Sequence, residues 1–217
     1  CGTGDRVPNE IVKIMLLLKI QSLSYGYSGC KLDTVQRLVD FFNNDIYPIV
    51  YMQGSLGASG DLVPLAHLSL PIIGLGEVEY QGKVMSGKEI LQIMGWQPIE
   101  LASKEGLALL NGTQNMSSFA VWALIQSHRL NDWADKIAAM SLDAYNGLVE
   151  PFTDAVHQVR PHKGQIETAA RMRELLQGSE IVEKPKSYVQ DPYSFRCVPQ
   201  VHGTVKDTMA YVESVID

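Results

Sequence analysis

The stretch from Gln114 to Tyr145 contains neither proline nor glycine. Its apolar residues recur at three- and four-residue steps, the spacing of one helix face: Phe119, Trp122, Ala123, Leu130, Trp133, Ile137 and Met140. This pattern predicts one helix of roughly 30 residues, about 45 Å long at 1.5 Å per residue. Because helices of this length usually belong to bundles, we expect a mainly α-helical fold.

Shorter helices are predicted on both sides of this segment. The clearest are a helix between Pro8 and Gly26, a second that Asp33 or Thr34 caps, one that Ser86 caps, one from Gln165 to Leu176 and one from Val201 onward. Between them, residues 77–84 are polar and β-prone around Gly82, which predicts a small hairpin.

The composition restricts the class of protein. Of 217 residues only 19% are charged, and the net charge is -6. Because about 25% is usual, partner subunits are expected to cover part of the surface. The acidic balance and the lack of a Lys/Arg cluster argue against nucleic-acid binding. No segment reaches the ~20 apolar residues of a membrane span, and three separated cysteines indicate reduced thiols in a cytoplasmic protein.

Common catalytic motifs do not fit the spacing. Gly60 precedes Asp61, whose charge would repel a phosphate, and the sequence around Ser59 lacks the spacing of a nucleophile elbow. His157 and His162 flank Pro161, so they do not form a helical metal-binding pair. We therefore expect neither a metal nor a nucleotide cofactor.

The small-residue loop 54–60 offers different chemistry through its order Ala58-Ser59-Gly60. Attack of the Gly60 backbone nitrogen on the Ala58 carbonyl carbon would close a five-membered ring. Loss of one water from the ring and one from Ser59 would leave a conjugated methylene. Glycine permits the strained approach, serine supplies the leaving hydroxyl, and Asp61 is placed to handle protons. The product would be an electrophile that ordinary side chains do not provide.

The segment Gly54–His67 closely resembles the signature of the aromatic amino acid ammonia-lyases, the family of histidine, phenylalanine and tyrosine ammonia-lyases. Further blocks are similar in the same order, and together they cover essentially the whole chain. They are Gly2–Gly4, Met15–Leu17, Gly26–Gly29, Lys104–Gln114, Arg160–Gln165, Gln190–Cys197 and Pro199–Gly203.

The resemblance implies a set of site residues. Ala58, Ser59 and Gly60 become the methylidene-imidazolone electrophile (MIO), with Asp61 assisting its formation. Three further residues match family positions that bind substrate or hold it against the MIO, and one matches a conserved active-site tyrosine. These are Asn111, Gln190 and Arg196 for binding, with Arg196 on the substrate carboxylate, and Tyr193 beside the MIO. The histidines of these blocks are expected to make structural hydrogen bonds.

The implied reaction removes ammonia from an aromatic L-amino acid and leaves an α,β-unsaturated acid. The family assigns the base to a tyrosine upstream of Cys1, and its selectivity positions lie before Cys1 and beyond Asp217. Asn111–Gln114 and Gln200–Gly203 favour histidine, giving trans-urocanate, whereas Pro192 and Phe195 leave a tyrosine-type enzyme open. A phenylalanine lyase, an aminomutase and an inactive helical scaffold are the alternatives.

The resemblance also implies the architecture. We expect residues 1–217 to be a single partial domain, the central MIO-bearing part of a longer chain with the helical bundle of the ammonia-lyase and fumarase type. The complete enzyme is expected to be a cytoplasmic homotetramer with active sites shared between subunits, and the 217 residues alone are expected to be inactive.

Overall fold

A computed structural model describes residues 2–216, and most of them are helical. The helices are α1 (Asn9–Ser24), α2 (Leu32–Asn43), α3 (Leu62–Ser69), α4 (Gly87–Met94), α5 (Glu105–Leu110), α6 (Gln114–Tyr145), α7 (Asp154–Gln158), α8 (Lys163–Leu176), α9 (Tyr193–Arg196) and α10 (Val198–Ile216). The strands are β1 (Thr3–Arg6), β2 (Tyr47–Pro48), β3 (Tyr51–Gln53), β4 (Glu77–Tyr80) and β5 (Lys83–Ser86). The predicted mainly α fold is confirmed, as is the single long helix, α6.

The chain forms two compact units, the first ending at Trp122 and the second beginning at Ala123. The boundary falls within α6. That residues 1–217 belong to a single domain stays a prediction.

The first unit encloses the larger apolar core. Helix α1 packs against α2, and α3, α4 and α5 complete the core with apolar side chains of the intervening loops. Phe41 is fully buried and stacks on Trp96 with ring centroids 6.0 Å apart, and the Arg37 guanidinium lies 4.8 Å above the Trp96 ring. Burial of these aromatic rings joins α2 to the segment that follows α4.

The predicted start of α2 was wrong. The helix begins at Leu32, one residue before Asp33, and the Thr34 hydroxyl donates to the buried Glu105 carboxylate at 2.8 Å. Glu105 also accepts the backbone N–H groups of Lys31, at 2.7 Å, and Ala102, at 2.6 Å. Burial raises the pKa of Glu105, but these hydrogen bonds outweigh burial and hold the pKa below its usual value. The start of α2 is therefore held by a carboxylate from a distant part of the sequence, with no side-chain cap of its own.

The predicted hairpin is confirmed as β4 and β5, which pair antiparallel around Gln81 and Gly82. Both turn residues have positive φ, 51° and 75°, which matches the twist of a two-residue hairpin. Ser86, the predicted cap, accepts from the Glu89 backbone N–H while the Glu89 carboxylate accepts from the Ser86 backbone. This capping box begins α4 directly after the hairpin. Strand β2 extends the hairpin sheet, and β1 pairs with β3 in a second small sheet that the sequence did not predict.

The second unit is built on α8 and α10, which approach backbone to backbone. A Cβ added to Gly164 would lie 2.2 Å from the Gly203 carbonyl oxygen, so only glycine fits there. Nearby, the buried Asp135 carboxylate accepts from His202 Nδ1 at 2.7 Å and from Lys206 Nζ at 2.6 Å. Burial raises the pKa of Asp135, but these two partners outweigh it and hold that pKa below its usual value.

Two kinds of structural feature are absent from residues 2–216. No helix there combines the length and apolar character that crossing a membrane requires. Within the same range, no group of three or more His, Cys, Asp and Glu side chains is arranged to hold a metal ion.

The first core gives a direct test of packing. Leu38 of α2 is fully buried, whereas Leu32 of the same helix is 78% exposed. We expect Leu38→Ala to lower the free energy of unfolding by about 2–5 kcal/mol through the lost contacts and the cavity. Leu32→Ala, the matched control, should change it by no more than about 0.5 kcal/mol. Urea unfolding of both variants measures the difference, and equal losses would contradict this packing.

Candidate active site

Loop 54–60 connects β3 to α3 and presents the residues predicted to form the electrophile. Ala58 and Ser59 are exposed, whereas Gly60 is partly buried. Gly57 and Gly60 have φ of 66° and 83°, a region that glycine adopts without strain. The loop therefore brings Ser59 to the surface of the first unit while Gly60 lies against the protein.

Gly60 lies against the turn that carries Asn111. A Cβ at Gly60 would lie 2.5 Å from the Gly112 carbonyl oxygen and 2.8 Å from the Gly112 nitrogen. That same carbonyl accepts the backbone N–H of Asp61 at 2.8 Å. The structure therefore brings Gly60, Asp61 and the Asn111–Gly112 turn together, and this close approach excludes a side chain at Gly60.

The Asp61 side chain bonds to a different helix from the one that it precedes. Asp61 is the residue before α3, but its side chain makes no capping bond there. Instead its carboxylate, 1% exposed, accepts from the Ser55 hydroxyl at 2.8 Å and from the Met116 backbone N–H at 2.9 Å. Met116 lies in the first turn of α6, so the carboxylate satisfies a free N–H of a different helix.

Asn111 ends α5 and is exposed. Its backbone carbonyl accepts from the Lys19 ammonium at 3.0 Å, and Lys19 is 1% exposed. Burial lowers the pKa of Lys19 to about 8. Sequence reasoning missed both Lys19 and Gly112. The available signals were a lysine within the most apolar segment and a glycine directly after Asn111.

The remaining predicted residues lie in the second unit on one short segment. Gln190 is exposed, Tyr193 is 71% exposed, and both belong to the stretch that ends in α9. The Arg196 guanidinium lies 4.1 Å from the Tyr193 ring centroid, and its Nε is buried with no hydrogen-bond partner among residues 2–216. Tyr193 and Arg196 thus form one cation–π pair with an unused donor.

Two contacts anchor this segment to the end of α6. Asp191, 2% exposed, accepts the Leu148 backbone N–H at 2.6 Å, and Phe195 stacks on Tyr145 with ring centroids 4.6 Å apart. The residues that make these contacts, Asp191 and Phe195, lie between the predicted site residues in the sequence. Gln190, Tyr193 and Arg196 are therefore presented by a segment whose neighbouring residues are packed.

Two histidines of the matching blocks make the structural hydrogen bonds that were expected. His67 accepts the Gly2 backbone N–H at 3.3 Å and meets the Tyr51 ring edge-on. Burial lowers the pKa of His67, which favours the neutral acceptor form. His202 is bonded to Asp135, as described above.

Comparison with known proteins identifies the group to which these residues belong. The family model for aromatic amino acid lyases matches residues 1–217. The chain belongs to the aromatic amino acid lyase family. The expected family is thereby confirmed.

Individual proteins are similar over at least 98% of the chain. The histidine ammonia-lyase of Legionella pneumophila is 49% identical over 214 residues, 98% of this chain and 42% of that protein. Ergothionase, an ergothioneine-degrading enzyme from Treponema denticola, gives a TM-score of 0.93 at 32% identity, covering 100% of this chain and 44% of its own. The phenylalanine aminomutase of Pantoea agglomerans gives 0.91 at 33%, with 100% and 45% covered. The chain thus spans less than half the length of each of these three proteins.

The close approach at Gly60 can be tested by a pair of glycine variants. Gly82 has a similar φ, 75°, but open space around its Cα, so Gly82→Ala measures the backbone strain alone. We expect Gly82→Ala to lower the free energy of unfolding by about 1 kcal/mol. Gly60→Ala adds the clash with Gly112 and should cost about 3 kcal/mol or more. Urea unfolding compares the two, and similar losses would argue against the close approach.

Proposed function

We propose that this chain carries the electrophile and part of the substrate-binding residues of an enzyme that removes ammonia from L-histidine. The contact of Gly60 and Asp61 with the Asn111–Gly112 turn carries the proposal. It brings the tripeptide proposed to form the ring, together with Asp61, against the turn that carries Asn111. Family membership supports the reaction class, and the similarity to histidine ammonia-lyases supports the substrate.

The residues present fit formation of the MIO group from Ala58, Ser59 and Gly60. The absence of a Cβ at Gly60 is required by its neighbours, and the exposed Ser59 has a hydroxyl free to leave. When formed, the group supplies an electrophile for the substrate amine, which makes ammonium an easier leaving group. The buried Asp61 carboxylate, already bonded to Ser55 and Met116, holds the end of the loop in place.

Arg196 is proposed to bind the substrate carboxylate. A guanidinium presents paired donors that match a carboxylate, and the Tyr193 ring below it restricts its orientation. Its Nε is buried and has no acceptor among residues 2–216. Gln190, six residues before it on the same anchored segment, and Asn111 are proposed to position the substrate through their amides.

The proton-abstracting base and the positions that select the substrate are assigned by the resemblance to residues outside these 217. Histidine is therefore proposed from Asn111–Gln114, Gln200–Gly203 and the histidine ammonia-lyase relatives. The complete enzyme is proposed to be a cytoplasmic homotetramer with shared active sites. Exposed apolar side chains on α6 and α10, such as Met140 and Tyr211, support burial of these helices against other subunits.

Ser59→Ala tests the electrophile in the complete gene product that contains these residues. The wild-type enzyme should have an intact mass roughly 36 Da below the mass calculated from its sequence, because ring closure and dehydration of the Ser59 side chain release two waters. Ser59→Ala should lose the second dehydration, and turnover should fall by about a thousandfold or more. Ser214→Ala makes the same chemical change at an exposed position of α10 and should keep both the mass loss and the turnover. If the mass of the wild-type enzyme equals the mass calculated from its sequence, the proposal is refuted.

The substrate is tested by following conjugated acids in the ultraviolet with histidine, tyrosine and phenylalanine. Histidine should give urocanate at the highest kcat/KM. Product from tyrosine or phenylalanine without product from histidine would overturn the histidine assignment and leave the lyase reaction in place. Formation of a β-amino acid would instead indicate an aminomutase, an alternative that the structural likeness to phenylalanine aminomutase favours.

A further inference from the structure

Lys19 is a charged side chain at a position where the rest of the structure is apolar. It lies on α1 and is 1% exposed, and its helix neighbours Met15 and Leu16 belong to the first core. Burying an ammonium group is unfavourable, and a methionine of similar length would fill the space without that penalty. Packing alone therefore does not account for a lysine at this position.

The hydrogen bond of Lys19 indicates what the charge does. Its Nζ donates to the Asn111 carbonyl at 3.0 Å, the acceptor found for it among residues 2–216. Asn111 follows the last residue of α5, where carbonyl groups have no partner within the helix and the helix end is negative. The ammonium group thus satisfies a free carbonyl and matches the charge of the helix end.

The next carbonyl in the chain is held from the opposite direction. The Gly112 oxygen accepts the Asp61 backbone N–H at 2.8 Å. Gly112 has a φ of 150°, and a Cβ added there would clash with the Gln114 side chain. Two consecutive carbonyls are therefore fixed by donors from outside the turn. One donor comes from α1 and the other from the end of the electrophile loop, so the orientation of the Asn111–Gly112 peptide depends on both.

We propose that Lys19 is a positioning residue that acts through the Asn111 backbone carbonyl, fixing the Asn111–Gly112 turn against the Ala58-Ser59-Gly60 loop. The inference rests on the proposed function, because Asn111 and the loop are assigned their roles there. Lys19 itself touches neither the loop nor the substrate. Its effect is to hold the Asn111 amide and the Gly112 oxygen in register with Gly60 and Asp61.

Burial also affects the charge that Lys19 carries. It lowers the Lys19 pKa to about 8, so the group is mainly protonated at neutral pH and forms a charge-assisted bond to Asn111. In the unfolded chain the pKa is that of an ordinary lysine, higher by about two units. The burial penalty is therefore fully present below pH 8, and folding stability rises as the pH increases from there toward the unfolded-state value.

The experiment uses three variants of the complete gene product. Lys19→Met removes the donor and keeps the length of the side chain, and Lys19→Arg restores a cationic donor. Met15→Leu changes another fully buried side chain of α1 that makes no bond to Asn111 and serves as the control. For each, the melting temperature, the fraction of protein lighter by two waters, and kcat and KM for histidine are measured.

A positioning role predicts a separation of stability from activity. The melting temperature of Lys19→Met should equal or exceed that of the wild-type enzyme, because a buried charge is removed. Its kcat/KM should fall about 10- to 100-fold through misplacement of the turn. Lys19→Arg should have at least about a third of the wild-type kcat/KM. The kcat/KM of Met15→Leu should stay within about twofold of the wild-type value.

The other outcomes overturn the inference. If Lys19→Met keeps kcat/KM within about twofold, the turn does not need the ammonium group. If activity falls only together with the melting temperature, or if a folded Lys19→Arg recovers nothing, Lys19 does not position the turn by donating to Asn111. If the wild-type enzyme shows neither the mass loss nor turnover, the proposed function is refuted. This outcome differs from those that refute the role of Lys19 alone.

Discussion

The buried carboxylate of Asp61 is the interaction on which the rest of the candidate site depends. At 1% exposure the carboxylate needs partners, since an unpaired buried charge is strongly unfavourable. It receives them from Ser55, inside the loop, and from Met116, at the start of α6. Together with the N–H bond from Asp61 to Gly112, these contacts fix the loop end against two other segments. The exposed Ala58 and Ser59 are thus held by the buried end of their loop.

The sequence predicted the elements whose causes are local. The hairpin follows from β-prone residues around Gln81 and Gly82, α4 from the capping residues Ser86 and Glu89, and α6 from a long run without proline or glycine. It failed where the partner lies far along the chain. Thr34 is bonded to Glu105, 71 residues away, so a capping rule based on neighbours chose the wrong role for it. Asp61 is bonded to Met116, 55 residues away, a partner that its sequence neighbours do not indicate.

The sequence likewise predicts some residues of the candidate site and misses others. The family blocks predict candidate site residues because the proposed chemistry fixes the residue type: a hydroxyl at Ser59, a guanidinium at Arg196. They did not reveal supports such as Lys19, whose role is a bond to a backbone carbonyl. Any donor of suitable length can make such a bond, so the pattern of residue types carries little information about it. Contacts that act through the backbone become visible only when the fold brings the two segments together.

The apolar side chains of α6 are packed near the start of the helix and exposed further along it. Phe119 and Trp122, near its start, pack against the first core. Further along, Leu130, Trp133 and Met140 remain 68%, 59% and 72% exposed. A soluble chain rarely leaves such a row of large apolar side chains to water, because exposing them forfeits their hydrophobic stabilisation. These exposed apolar side chains therefore support the proposed assembly of several subunits around each site.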